Sequence, residues 1–230
     1  MRILVFCAHA DDEVIGMGGT IARFAAAGAA IRLVMFSEGA EGYAAPGEKE
    51  HIVAVRDAET RRVCALLGIG EFVNLHELDW NLRVDNANYH AVIDQIREFR
   101  PDVVFTHGCR DYHDHRAVAR VVAEGWFHAP LACAMTGIPV WKSVPLYEFE
   151  VIQMMPDPDL VVDITAAFEV KMQAMNIYHS QTGVVGGADQ MLEGRALARG
   201  HQIGVRYGEA FRRSAFRPRA IADVSVMLDS

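Results

Sequence analysis

Ile3-Leu4-Val5-Phe6-Cys7-Ala8, running straight into His9-Ala10-Asp11-Asp12-Glu13, is the stretch on which the fold turns. The apolar run is too short for an ordinary helix and shows no polar alternation. That pattern predicts a strand buried on both faces of a parallel sheet. Ile31 to Phe36 and Val103 to Thr106 repeat it, and Phe72 to Leu75 reads as a shorter strand. Between them lie helical stretches: Ile21 to Ala27 ended by Gly28, Glu50 to Leu67 stopped by Gly68, and Tyr89 to Phe99 closed by Pro101. Another helix is predicted to begin near Arg116. Leu146 to Ile152 and Leu160 to Ile164 read as later strands, and Phe168 to Ile177 and Gln190 to Arg199 as later helices. Residues 130–145, with Pro130, Pro139 and Pro145, read as an irregular surface segment. Strand–helix alternation predicts an α/β, Rossmann-like, doubly wound and mostly parallel sheet. With no linker, repeat or low-complexity tract, residues 1–230 read as a single domain.

Composition narrows the partners. A formal net charge of −8 argues against nucleic acid, whose recognition leans on a basic surface. No apolar run approaches a membrane span. The N-terminal run is short and meets His9, Asp11 and Asp12, which does not fit a secretory signal segment. Cys7, Cys64, Cys109 and Cys133 form no C-x-x-C pair and suit a reducing compartment, so the expected location is cytoplasmic. A homo-oligomer is expected.

Two polar clusters follow predicted strands directly, where ligands bind in open α/β sheets. In the first, one imidazole and three carboxylates share a turn and would repel one another unless a cation entered. His9 and Asp12 can both reach one ion, leaving Asp11 free to handle a proton. The bland alternative is a solvated turn whose aspartates cap the next helix. In the second, Asp111-Tyr112-His113-Asp114-His115-Arg116 follows the strand ending near His107. His115 completes a set of two histidines and one aspartate with open positions, as a catalytic zinc site requires. Asp114 is placed to orient an imidazole, and His107 is a candidate for the same supporting shell. The alternative is a polar helix start with surface histidines.

Ala8-His9-Ala10-Asp11-Asp12-Glu13, the glycines Gly16, Gly18 and Gly19, and the later Asp114-His115-Arg116 resemble the LmbE-like or PIG-L deacetylases. Fainter similarities run through Arg56-Asp57-Ala58-Glu59, Val162-Asp163-Ile164, Lys171, His179-Ser180-Gln181, Arg199-Gly200, Gly204-Val205 and Tyr207-Gly208-Glu209-Ala210-Phe211. Ala10 stands where the family has proline. Counting back from His115, the first histidine of the family's H-x-D-H falls on Tyr112, with His113 one place late.

The resemblance implies hydrolysis of an N-acetyl group on an N-acetylglucosamine-type sugar or conjugate. Zn2+, or another divalent metal such as Fe2+, would be held by His9, Asp12 and His115, with Asp11 as general base. It also implies an oxyanion donor, either His113 or Tyr112, of which His113 is preferred because histidine can follow protonation changes. Asp114 is a supporting catalytic residue, and Arg56 and Asp79 are substrate contacts. Two alternatives stand beside this: an amidase for another small N-acyl or thiol conjugate, and a metal- or sugar-binding module without turnover. The Gly16-x-Gly18-Gly19 run lacks the third glycine of a dinucleotide site, and its acidic neighbours would repel a pyrophosphate. Close helix packing is the expected use of those glycines.

Overall fold

The computed structural model describes residues 1–133, 136–181 and 183–216. Strand β1 (Arg2–Cys7) shows why its run is uninterrupted: Ile3 through Cys7 are all fully buried. Ile3, Val5 and Cys7 enter one core layer, while Leu4 and Phe6 enter the layer on the opposite face. Strands β2 (Ala30–Ser37) and β4 (Val103–His107) flank it in parallel, and β3 (Glu71–Glu77) adds beyond β2. Helices α1 (Asp12–Ala26) and α2 (Ile52–Leu67) cover the first face; α3 (Asn86–Phe99) and α4 (His113–His128) cover the second.

Beyond β4 come β5 (Leu146–Phe149), β7 (Gly208–Arg213) and β6 (Leu160–Asp163), giving the order β3-β2-β1-β4-β5-β7-β6. β7 runs antiparallel to both neighbours, so the sheet is mostly parallel. Helices α5 (Phe168–Ile177) and α6 (Ala188–Gln202) complete the first layer. Chain order reverses between β1 and β4, so the loops after these two strands face each other across the switch point. Among the described residues no helix is long and apolar enough to cross a membrane.

Several element boundaries differ from the sequence reading, α3 and α6 among them, which start at Asn86 and Ala188 and not at Tyr89 and Gln190. Three differences bear on the rest of the structure. α1 begins at Asp12, so Gly16, Gly18 and Gly19 lie inside the helix and not before it. The helix is interrupted at Met17 (φ −153°, ψ 23°). There the Gly19 and Thr20 N–H groups donate to the Glu209 carboxylate at 3.0 and 2.7 Å. Lys171 donates to the Ile15 carbonyl at 3.0 Å and pairs with Glu209 at 2.6 Å. Two distant residues thus satisfy the backbone groups at the break. A Cβ at Gly19 would stand 2.8 Å from Ile164, which confirms that glycine serves close packing there. Second, α4 starts at His113, three residues before Arg116, placing His113, Asp114 and His115 on its first turn. Third, β5 ends at Phe149, short of Ile152, and β7 was not anticipated.

Candidate metal centre

The turn after β1 is held by its own acids. Asp11 stands at the N-cap position of α1, without a side-chain cap hydrogen bond, in a left-handed conformation (φ 102°, ψ −26°) that aspartate tolerates better than most side chains. Asp12 Oδ2 accepts the His9 backbone N–H at 2.7 Å and closes the turn. Asp11, Asp12 and Glu13 are all buried. Glu13 points away from the cleft and accepts the Tyr178 hydroxyl at 2.5 Å; burial pushes its carboxyl up to about 8.

The loop after β4 supplies the other half. His115 Nε2 lies 3.2 Å from Asp12 Oδ1, and its Nδ1 lies 3.3 Å from Asp111 Oδ2. Asp111 is fixed in turn by the Tyr112 and Ile152 N–H groups at 2.7 and 3.0 Å. His107 is fully buried and stacks on His115 with ring centroids 4.0 Å apart. Its Nε2 accepts the Ala8 N–H at 2.9 Å and sits 3.2 Å from Asp12 Oδ2, so it supports the cluster from behind. Asp114 Oδ2 meets His9 Nε2 at 3.1 Å and the Trp80 N–H at 2.9 Å, while its Oδ1 meets His113 Nδ1 at 2.8 Å.

His9, Asp12 and His115 each offer a ligand atom within 4.8 Å of the other two, forming a possible metal-binding triad. The charges suit a divalent cation. Burial alone would lower both histidines, yet Asp114 and Asp12 lift His9 to about 9, and Asp12 and Asp111 lift His115 to about 10. Two imidazolium charges thereby balance the acids, and a divalent ion displacing those protons would supply the same charge. Asp12 is held well below the usual range, against its burial, chiefly by His115. Asp11 goes the other way: burial and then the Asp12 carboxylate push it up to about 7, with the Arg56 charge opposing.

These groups open into a cleft of about 200 Å³. Arg56 and Asp79 both line it. Arg56 is buried and donates to the Ala10 carbonyl at 2.8 Å and to Gly39 at 3.5 Å, so it also braces the turn. Asp79 accepts from the Ser37 hydroxyl and from the Glu41 N–H at 2.7 Å, and its Oδ1 is 3.6 Å from His9 Nε2. Tyr112 lines the cleft with its hydroxyl 3.1 Å from His9 Nδ1. His113 does not line it; its side chain is 58% exposed at the start of α4. Sequence reasoning missed Glu41, Gly42, Trp80, Ile152 and Val184 on the cleft wall. Gln181, which donates to the Gly42 carbonyl at 3.0 Å, carried a signal only through the His179-Ser180-Gln181 similarity.

A doubly wound sheet whose switch point gathers two histidines and an aspartate beside a further buried carboxylate defines an α/β protein whose crevice holds side chains able to ligate a metal. The family model described as PIG-L: GlcNAc-PI de-N-acetylase matches residues 4–126, and the chain belongs to this family. It is 30% identical to the 1D-myo-inositol 2-acetamido-2-deoxy-alpha-D-glucopyranoside deacetylase of Thermobifida fusca, over 80% of this chain and 85% of that protein. In two further relatives of the same description the match spans 58% and 59% of their length. A 4-oxalmesaconate hydratase of Pseudomonas putida is 29% identical over 77% of this chain and 73% of its own. Among solved structures, the N,N'-diacetylchitobiose deacetylase of Pyrococcus horikoshii superposes with a TM-score of 0.87, at 25% identity, over 98% of this chain and 88% of that one.

Proposed function

We propose that the protein is a zinc-dependent hydrolase that removes an N-acetyl group from an N-acetylglucosamine-type sugar or conjugate in the cytoplasm. The observation that carries this reading is the buried Asp11 carboxylate, free of the triad yet lining the same cleft as His9, Asp12 and His115. Those three residues would hold a divalent ion, which would supply Lewis-acid polarisation of the acetyl carbonyl and acidify a water.

Every other step falls to the chain's own groups. Asp11, with its carboxyl near 7, accepts a proton from the attacking water and returns it to the leaving amine. Tyr112 is the oxyanion donor in this reading, because its hydroxyl faces the cluster whereas His113 turns outward. Burial, then Asp12 and Asp114, hold the phenol well above its ordinary range, so it keeps its proton. Asp114 fixes the His9 ring by a hydrogen bond, and Asp111 faces His115 Nδ1 at 3.3 Å as its charge partner. Asp79 offers a carboxylate to substrate hydroxyls. Arg56 acts on Asp11, favouring the ionised base.

The Pseudomonas putida relative supports a second reading, hydration of a carbon–carbon double bond, since the same groups would activate water there too. Acetate release from a panel of N-acetylated sugars by zinc-replete protein separates the two. Acetate with an equal yield of free amine is expected. Water addition to 4-oxalmesaconate, without acetate from any sugar, would favour the hydratase.

A further inference from the structure

The cleft of the metal centre has an apolar rim. Trp80 is 72% exposed, Ile152 57%, Val184 48% and Tyr112 40%, and all four line this one opening. Exposed large apolar groups gathered at a site mark a binding surface, whereas scattered ones mean little. Trp80 is displayed at some cost: its φ of 64° is left-handed, a conformation bulky residues rarely adopt. The backbone is held there by its N–H bond to Asp114, the same carboxylate that fixes the His9 ring. The backbone that displays the indole is therefore tied to the cluster by a single carboxylate.

The charges of the cleft point the same way. Besides the triad its ionic side chains are Asp11, Glu41, Asp79, Asp114 and Arg56. Arg56 is the sole arginine on the wall among the described residues, no lysine joins it, and its guanidinium donates to the Ala10 and Gly39 carbonyls. A phosphate or carboxylate on the substrate would approach these acids, and the one arginine on the wall is buried and already turned to the Ala10 and Gly39 carbonyls through its terminal nitrogens.

Resting on the deacetylase reading, we propose that the acetylated substrate carries an uncharged apolar aglycone, which lies on the ledge of Trp80, Ile152 and Val184. The apolar group displaces water from the rim while the acetamido group reaches the triad. A phosphate-bearing conjugate is disfavoured by the same surface.

Acetate release by the metal-loaded protein is measured on N-acetylglucosamine, its phenyl β-glycoside and its 1-phosphate. The phenyl glycoside is expected to exceed the free sugar about ten-fold or more in kcat/KM, the scale of a modest apolar contact. The 1-phosphate should fall at or below the free sugar. Trp80→Ala and Ile152→Ser should each pull the phenyl-to-free ratio toward one. Preference for the 1-phosphate, or a ratio untouched by both variants, would overturn the proposal and leave the deacetylase standing. Tryptophan fluorescence titration of Asp11→Asn protein with the same three compounds reads the ledge without turnover. Absence of acetate from all three defeats the deacetylase reading alone. The titration then decides the ledge: tighter binding of the phenyl glycoside supports it, and equal or phosphate-favouring binding overturns it.

Discussion

Replacing Lys171 by methionine should destabilise the chain by about 3–5 kcal/mol at neutral pH, the usual cost of leaving one partner of a buried ion pair alone. Both side chains of the Lys171–Glu209 pair are only 3% exposed, at 2.6 Å. Methionine keeps the length and apolar stem of lysine, so little packing is lost. What goes is the cation that balances Glu209 and the donor that serves the Ile15 carbonyl at 3.0 Å. Glu209→Gln should cost a similar amount, because it leaves the lysine unpaired and turns an amide toward the Gly19 and Thr20 N–H groups. The double variant should lose at least about 2 kcal/mol less than the sum of the singles, because neither charge is then left alone. Urea unfolding followed by both fluorescence and circular dichroism gives the cycle, and agreement of the probes checks that the transition is two-state. A loss under about 1 kcal/mol for Lys171→Met, or strictly additive losses, would refute the claim that this pair holds the break in α1.

Asp11→Asn should lose two to four orders of magnitude in kcat, the usual worth of a general base, while keeping its metal. In chelator-stripped protein the same change should be stabilising. A carboxyl raised from 3.8 to about 7 by folding costs stability that accrues as pH climbs from 4 to 7, so the gain should be absent near pH 4 and reach a few kcal/mol by pH 8. Thermal unfolding across that range checks the sign, and a gain largest at low pH would contradict it. Tyr112→Phe should reduce kcat strongly and His113→Gln only mildly, and steady-state kinetics showing the reverse would restore His113 as the oxyanion donor. Arg56→Ala should move the acidic limb of the pH–rate profile upward, since its charge now holds Asp11 down, whereas Asp79→Ala should chiefly raise KM. An unmoved limb would separate Arg56 from the base.

The central strands were legible because their runs are buried on both faces, so a local pattern records a global fact. β7 was not, since Glu209, Arg212 and Arg213 make Gly208–Arg213 look like surface. Glu209 is buried only because Lys171, 38 residues away, and the α1 backbone satisfy it. The start of α1 was hidden for the same reason: acids and glycines read as a loop until the distant pair is in place. His9, Asp12 and His115 could be read because each cluster is compact in sequence and follows its own strand. The choice between Tyr112 and His113 depended on where α4 begins, and a start three residues early turns His113 outward. Trp80, Ile152 and Val184 come from three separate loops, so no motif announces the ledge they form.

The most direct test is to titrate zinc into chelator-stripped protein while following acetate release from an N-acetylated sugar that the zinc-replete protein hydrolyses. Activity is predicted to start near zero, rise in proportion to bound metal, and reach its plateau at about one metal per chain, with His115→Ala protein staying flat. Full activity in the stripped protein, or a His115→Ala titration matching the wild type, would contradict a catalytic metal held by His9, Asp12 and His115.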